Sequence, residues 1–173
     1  MRLRLALAAI FSMLLMSLSL STASAATTVD PSAAPRGTHV QTGTPSCAAN
    51  EAGDVTCTDF ELAGVGNTDA TATLVASYSA TVQCRNHGGK IVEVHSQTTT
   101  STSRTGELSP KNGRLYVPEL SSSAPTETAF EGLATCPNRN WTPELLEGSI
   151  TLDSFVYTLT FDGYSGAYIT ITG

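Results

Sequence analysis

The chain has 173 residues and is acidic, with 15 Asp and Glu residues against 9 Lys and Arg residues and a formal net charge of −6. Proteins that bind nucleic acid neutralise phosphates with clustered Lys and Arg, so this composition argues against a nucleic-acid partner. The same charge disfavours adhesion to anionic membranes. A length in this range suits one domain around a single core.

The first 25 residues predict a cleavable secretory signal peptide. Arg2 and Arg4 precede sixteen mostly apolar residues at 5–20, and Ala23-Ser24-Ala25 has the small-residue pattern of a cleavage site. The apolar run is shorter than the roughly 20 residues that a membrane-spanning helix needs. We therefore expect cleavage after Ala25 and a secreted, extracellular product without a membrane partner. Without the two arginines, the remaining chain has 7 basic and 15 acidic residues and a net charge of −8.

The segment that follows the signal peptide has no hydrophobic period. Residues 26–45 are rich in Thr, Ala, Pro and Gly, which is typical of a flexible tail or spacer. We expect the folded domain to comprise residues 46–173.

Four cysteines lie in the expected domain, and an even number in an exported protein indicates disulfides. Three pairings are conceivable. We favour Cys47–Cys57 with Cys84–Cys136, because Cys47 and Cys57 flank a turn-like segment at 50–54. A zinc site is not favoured, because the chain has no C-x-x-C pair and no His at ligand spacing. A calcium site is not favoured either, because the loops offer few clustered oxygens. The sequence predicts no metal site and no cofactor.

The clearest secondary-structure signal is a period of two over residues 70–84. Even positions are apolar and odd positions are mostly Thr or Ser, the pattern of a strand with one face in a core. The segment 85–89, Arg-Asn-His-Gly-Gly, is typical of a turn. Residues 91–104, rich in Thr, Val and Ser, are expected to pair back as a hairpin.

Turn residues bound the other expected strands, which lie at about 54–62, 114–117, 149–161 and 167–172. The first of these changes its apolar phase between Cys57 and Phe60, which predicts a bulge or bend. Residues 142–147 fit a single helical turn capped by Thr142. With six or seven strands, the pattern predicts an all-β fold, an antiparallel immunoglobulin-like β-sandwich stapled by two disulfides.

Trp141 is the only tryptophan, and it follows Cys136 in the segment Cys-Pro-Asn-Arg-Asn-Trp. One interpretation is an exposed ring that stacks on a sugar, with Asn138 and Asn140 as hydrogen-bonding neighbours. The other packs the indole on the Cys84–Cys136 bridge, as in sandwiches with an inter-sheet disulfide. The second interpretation is favoured.

Nothing in the sequence assigns a catalytic residue. The histidines are His39, His87 and His95, and no Gly-x-Ser-x-Gly elbow is present. An enzyme would place His87 or His95 in a concave pocket beside a carboxylate. A protease inhibitor would present a rigid, exposed loop near a disulfide, and the turn at 85–90 is the only candidate.

Three segments carry a resemblance to a group of exported proteins. They are Cys84-Arg85-Asn86-His87-Gly88-Gly89, Cys136-Pro137-Asn138-Arg139-Asn140-Trp141 and Gly64-Val65-Gly66-Asn67. Over residues 56–161 the chain resembles small secreted β-sandwich proteins of actinobacteria. The resemblance implies a fold and a compartment but no activity.

We expect a secreted, non-catalytic binding or interaction module whose partner is an extracellular protein or a cell-wall glycan. Such a module should expose an aromatic patch around Trp141, Tyr116, Tyr164 or Tyr168. The main alternative is a structural or surface-associated secreted protein. A secreted hydrolase or a protease inhibitor is less favoured.

Overall fold

A computed structural model describes residues 25–173, so the expected signal peptide, apart from Ala25, lies outside the described residues. Within this range the chain forms twelve strands, one 3-10 turn at Pro31–Ala33 and one short helix. In chain order they are β1 Ala26–Val29, β2 His39–Gly43, β3 Cys47–Ala49, β4 Val55–Cys57, β5 Phe60–Ala63, β6 Ala70–Arg85, β7 Ile91–Arg104, β8 Arg114–Val117, β9 Leu120–Ser122, α1 Glu127–Glu131, β10 Thr142–Leu145, β11 Thr151–Phe161 and β12 Ile169–Thr172.

The first layer is a six-stranded antiparallel sheet built around β6. Strand β7 pairs with one edge of β6, from Thr73 to Arg85. The other edge pairs first with β11 and then, beyond its end, with β10. Strands β12 and β1 extend the sheet past β11. The expected hairpin and the expected alternation of β6 are confirmed, since Leu74, Ala76 and Tyr78 are fully buried on its inner side.

The second layer consists of two three-stranded antiparallel sheets, β2-β5-β8 and β3-β4-β9. Its apolar side chains share one core cluster with those of the first layer. The largest fully buried side chains come from both layers: Tyr78, Tyr157, Leu74, Leu159, Ile169 and Ile171 from the first, and Leu62, Leu115 and Val55 from the second. Each such side chain contributes about 1.5–3 kcal/mol when it leaves water. The antiparallel all-β sandwich is confirmed, and its immunoglobulin-like subtype stays a prediction.

Both expected disulfides are confirmed. Cys47 and Cys57 lie opposite each other in the hairpin of β3 and β4, with 4.0 Å between their Cα atoms. The bond between Cys84 and Cys136 joins the end of β6 to the loop that follows α1. One disulfide therefore lies within the second layer, and the other joins the first layer to the loop that follows α1.

The expectation of a flexible tail at 26–45 is wrong. Strand β1 pairs with β12, and β2 pairs with β5. Between them the backbone N–H of Asp30 donates to the carbonyl oxygen of Tyr168 at 2.8 Å, and Ala33 is fully buried. The side chains of β1 are all exposed, so backbone hydrogen bonds hold this strand and no hydrophobic pattern marks it. The folded domain thus includes the segment from residue 26 onwards.

Two further expectations need correction. The strand expected at 54–62 is divided into β4 and β5, which belong to different sheets, so the change of phase marks a crossing between sheets. Residues 142–147 do not form a helical turn, because β10 pairs with β6 there and Glu144 lies opposite Gln83. The helix occurs instead at Glu127–Glu131, where it buries only Phe130. The structure has twelve strands against an expected six or seven, because the expected strand at 54–62 is divided in two and five further short strands occur. These are β1, β2, β3, β9 and β10.

Candidate functional site

The outer face of the β2-β5-β8 sheet carries the most exposed aromatic side chain of the described residues. Tyr116 is 59% exposed, and it lies opposite Glu61 in the pairing of β8 with β5. Alternation along β8 places Leu115 and Val117 in the core and directs Arg114 and Tyr116 outwards. An exposed face and a core face therefore come from the same four-residue strand.

A tight turn sets the start of β8. Asn112 has a φ of +55° and Gly113 a φ of +74°, and Lys111 and Arg114 exchange both backbone hydrogen bonds, at 2.8 and 3.0 Å. Two central residues with positive φ are typical of the primed turns that match the twist of paired strands. The Asn-Gly pair thus places the basic residues Lys111 and Arg114 opposite each other on the two sides of the turn.

Two depressions flank Tyr116, and both are lined by Tyr116 and Glu61. The larger has a volume of about 530 Å³, and its other lining residues are Glu107, Leu108, Ser109, Lys111 and Arg114. The smaller has a volume of about 250 Å³, and its other lining residues are Thr42, Gly43, Asp59 and Phe60. We call the two depressions together the Tyr116 groove.

Two polar contacts orient the side chains of the Tyr116 groove. The hydroxyl of Tyr116 donates a hydrogen bond to Oδ2 of Asp59 at 3.1 Å. Arg114 Nη1 donates to Glu61 Oε1 at 2.8 Å. The hydrogen bond to Asp59 raises the pKa of the Tyr116 hydroxyl, with further contributions from the charges of Asp59 and Glu119. Exposed contacts of this kind add little to stability, so their main effect is to fix geometry.

Gly43 allows close packing at the floor of the smaller depression. Its φ is +79°, and a Cβ atom at this position would lie 2.9 Å from the carbonyl oxygen of Asp59 and 3.0 Å from Cα of Phe60. A larger residue would push β2 away from the start of β5. Glycine is therefore required for the shape of this end of the groove.

The groove offers an aromatic face together with positively charged hydrogen-bond donors and negatively charged hydrogen-bond acceptors. Carboxylates accept, while the guanidinium and ammonium groups of Arg114 and Lys111 donate. An exposed aromatic ring offers a flat apolar surface with a polar tip. Sugars have the matching chemistry, because a pyranose ring carries apolar C–H faces and a rim of hydroxyls that donate and accept.

The other tyrosines proposed from the sequence differ in their environments. Tyr164 is 39% exposed in the turn between β11 and β12. Tyr168 is 3% exposed, its hydroxyl donates to the carbonyl oxygen of Thr38 at 3.2 Å, and its ring packs edge-on against Phe161. The expectation that Tyr168 contributes to a ligand surface is wrong, because it is part of the core.

The tryptophan segment lies in the loop between α1 and β10. Asn138 and Asn140 are exposed and Trp141 is half-buried. The backbone N–H groups of Asn140 and Trp141 both donate to Asn138, at 2.9 Å in each case. The structure thus brings these three residues together, as the sequence suggested, but none of them lines the Tyr116 groove.

The histidines lie apart from one another. His39 is exposed on β2, His87 is exposed in the turn between β6 and β7, and His95 is on β7. The Nδ1 atom of His39 lies 2.9 Å from the carbonyl oxygen of Gly37. None of the three lines the Tyr116 groove.

The turn between β6 and β7 is exposed and internally bonded. The backbone N–H of Gly89 donates to the carbonyl oxygen of Asn86 at 2.9 Å. Arg85 Nη1 donates to the carbonyl oxygen of Gly89 at 2.7 Å, while its Nε donates to Glu144. The turn is therefore an exposed, internally bonded loop next to the Cys84–Cys136 disulfide, and the protease-inhibitor alternative stays a prediction.

Comparison with known proteins finds no matching family model, no similar curated protein and no similar solved structure. Among residues 25–173, no group of three or more His, Cys, Asp and Glu residues is arranged to hold a metal ion. No helix within the same range is long and apolar enough to cross a membrane.

Sequence reasoning found Tyr116 but missed the residues around it. Its alternation with Leu115 and Val117 already places Arg114 on the same face, and this signal is readable from four residues. The carboxylate of Glu61 comes from β5 and that of Asp59 from the residue just before β5, both more than 50 residues earlier in the chain. No local pattern reveals that β5 and β8 are neighbours.

Proposed function

We propose that this protein is a secreted, non-catalytic binding module that holds an extracellular polysaccharide in the Tyr116 groove. The observation that carries the proposal is the exposed ring of Tyr116, which is hydrogen-bonded to Asp59 and lies between two depressions. Carboxylates line both depressions, and the larger also has the basic groups of Lys111 and Arg114. A ring held in place loses less conformational freedom when a ligand binds. The proposal assigns no catalytic residue.

The chemistry of the groove favours a glycan over a protein partner. The centre of a protein interface is depleted of charged residues, and a stable interface covers about 800 Å² on each partner. Here Glu61 and Arg114 lie directly beside Tyr116. Small depressions that combine an aromatic wall with a few charged groups suit one or two sugar rings, which have apolar faces and hydroxyl rims.

The sequence and the covalent framework support the extracellular setting. The expected signal peptide directs export, and the two disulfides suit an oxidising compartment. The net charge of −8 after cleavage favours solubility outside the cell. A polysaccharide partner is consistent with that compartment.

Binding to purified polysaccharides tests the proposal. The mature protein would be incubated with insoluble peptidoglycan, chitin and cellulose, and the bound fraction measured; soluble oligosaccharides of any retained polymer then give a Kd by calorimetry. Tyr116→Ala should weaken binding about tenfold or more, because the stacking surface is lost. Tyr116→Phe, which keeps the ring, should weaken it less.

The matched control is Tyr164→Ala, which removes the other exposed tyrosine from a turn outside the groove. It should leave the Kd unchanged. Absence of binding to all three polymers, or an equal loss in both alanine variants, would overturn the proposal.

A further inference from the structure

Strand β7 is a long edge strand. It comprises the 14 residues Ile91–Arg104 and pairs with β6 along one side. No other strand of residues 25–173 pairs with its second side. The other edge strands of the three sheets, β1, β10, β2, β8, β3 and β9, contain only three to five residues each.

Natural edge strands are usually protected from pairing with other chains. The common devices are short length, proline, a bulge, or charged side chains, especially lysine. The segment Ser96–Ser103, Ser-Gln-Thr-Thr-Thr-Ser-Thr-Ser, has none of them. Its pairing with β6 is regular throughout, since the one irregularity of this hairpin lies next to the turn, between Cys84 and Arg85. A regular edge strand leaves a backbone N–H and C=O of about every second residue pointing outwards.

The two faces of the segment have different surroundings. Those on the outer face, Thr98, Thr100 and Thr102, are exposed. On the inner face, the hydroxyl of Ser122 in β9 donates to that of Ser101 at 2.8 Å. The second layer thus contacts the inner face of β7. Near the start of the strand, Val94 is 58% exposed, which adds apolar surface beside the edge.

We infer that the outer edge of β7 is covered by β7 of a second copy of this chain. An added strand pairs with a whole row of outward N–H and C=O groups through main-chain hydrogen bonds. A two-fold axis perpendicular to the sheet pairs the strand with itself in antiparallel orientation. Overlap of Val92–Arg104 with its copy, centred on Thr98, places Thr98 opposite Thr98. The two six-stranded sheets then form one continuous sheet.

Charge favours a second copy at this place. The mature chain has a net charge of −8, so two copies repel each other over most of their surfaces. Ser96–Ser103 contains no charged residue, and the two chains meet there without facing acidic groups. No residue of Ser96–Ser103 lines the Tyr116 groove, so the contact does not involve it.

The first experiment is sedimentation velocity with the disulfide-bonded mature protein, from about 1 to 500 µM. The wild type should change from monomer to dimer as its concentration rises. Thr98→Lys should shift the midpoint at least tenfold upwards, because it places two lysines opposite each other. Thr28→Lys, on the opposite edge strand β1, is the matched control and should leave the midpoint unchanged. Urea unfolding monitors whether each variant is folded.

A charge pair distinguishes self-pairing from other modes of association. Thr98→Glu alone should also be monomeric, whereas an equimolar mixture of Thr98→Lys and Thr98→Glu should restore a dimer. A wild type that stays monomeric up to 500 µM, or a mixture of the two variants that stays monomeric, would overturn the inference. The result is separate from glycan binding, since Tyr116→Ala should still dimerise and monomeric Thr98→Lys should keep the wild-type Kd for a soluble oligosaccharide.

Discussion

The hydroxyl of Tyr78 donates a hydrogen bond to the backbone carbonyl oxygen of Gly53 across 2.9 Å. Tyr78 is fully buried in the centre of β6, and Gly53 lies in the turn between β3 and β4. The next residue, Asp54, accepts the backbone N–H of Ala124 at 2.9 Å. One short turn is thus joined to the long strand of the first layer and to the segment that follows β9.

Tyr78→Phe tests this contact. The variant keeps the ring in the core but leaves the carbonyl oxygen of Gly53 without its partner, so we expect the free energy of unfolding to fall by about 1–3 kcal/mol. Urea unfolding followed by circular dichroism measures the change. Tyr164→Phe, at an exposed site, should change the free energy of unfolding by less than about 0.5 kcal/mol. Equal effects of the two variants would contradict the expectation.

Tyr157→Phe should have the opposite effect. The hydroxyl of Tyr157 is buried and has no hydrogen-bond partner among residues 25–173, and burying such a group is costly. Removing it should raise the free energy of unfolding by about 1 kcal/mol. Burial also raises the pKa of Tyr157, so the wild type loses stability as the pH rises above about 10, where the unfolded tyrosine ionises. The advantage of the variant should therefore grow between pH 9 and pH 11; a loss of stability at neutral pH would contradict this account.

Low pH should destabilise the turn between β3 and β4, because it protonates the carboxylate of Asp54. Hydrogen bonds from the backbone of Ala124 and from Asn50 lower the pKa of Asp54 below its ordinary value of 3.8. A carboxylate with a lowered folded-state pKa stabilises the fold above its unfolded pKa, and the contribution is lost as the pH falls through the folded value. Asp54→Asn should therefore unfold at a lower urea concentration than the wild type at pH 6, and the gap should narrow below about pH 4. Glu51→Gln, an exposed change in the same turn, should show no such convergence.

The hairpin of β6 and β7 was predictable because one face of β6 is buried along its whole length. Burial on one face imposes a period of two, and the Asn and Gly residues of the turn interrupt it. The segment 142–147 illustrates the opposite case. Thr-Pro-Glu fits the start of a helix locally, yet Pro143 lies opposite Cys84 in an edge strand, where the missing N–H is tolerated. Tertiary pairing decides that structure, and no local propensity reports it.

Only the part of the candidate site that lies in one short segment of sequence was predictable. The Asn-Gly turn and the alternation of β8 place Arg114 and Tyr116 on one exposed face. The groove around them depends on β5, which pairs with β8 across a long sequence separation. Tyr168 shows the converse limit. Its position in a strand-like segment does not reveal that the segment at 26–45 packs over it. The hydroxyl of Tyr168 donates a hydrogen bond to the backbone carbonyl oxygen of Thr38 in that segment.

The two disulfides should differ in their contribution to stability. In the chain-entropy model the loop closed by Cys84 and Cys136, with a sequence separation of 52, stabilises by about 4 kcal/mol, and the loop closed by Cys47 and Cys57, with a separation of 10, by about 3 kcal/mol. Replacing each pair by alanines and measuring urea unfolding under oxidising conditions tests the order. The Cys84/Cys136 variant should also free the loop that carries Trp141, seen as a faster amide exchange there, while the Cys47/Cys57 variant should leave that loop protected. A larger loss of stability in the Cys47/Cys57 variant would show that native packing around β3 and β4, rather than loop length, sets the contribution.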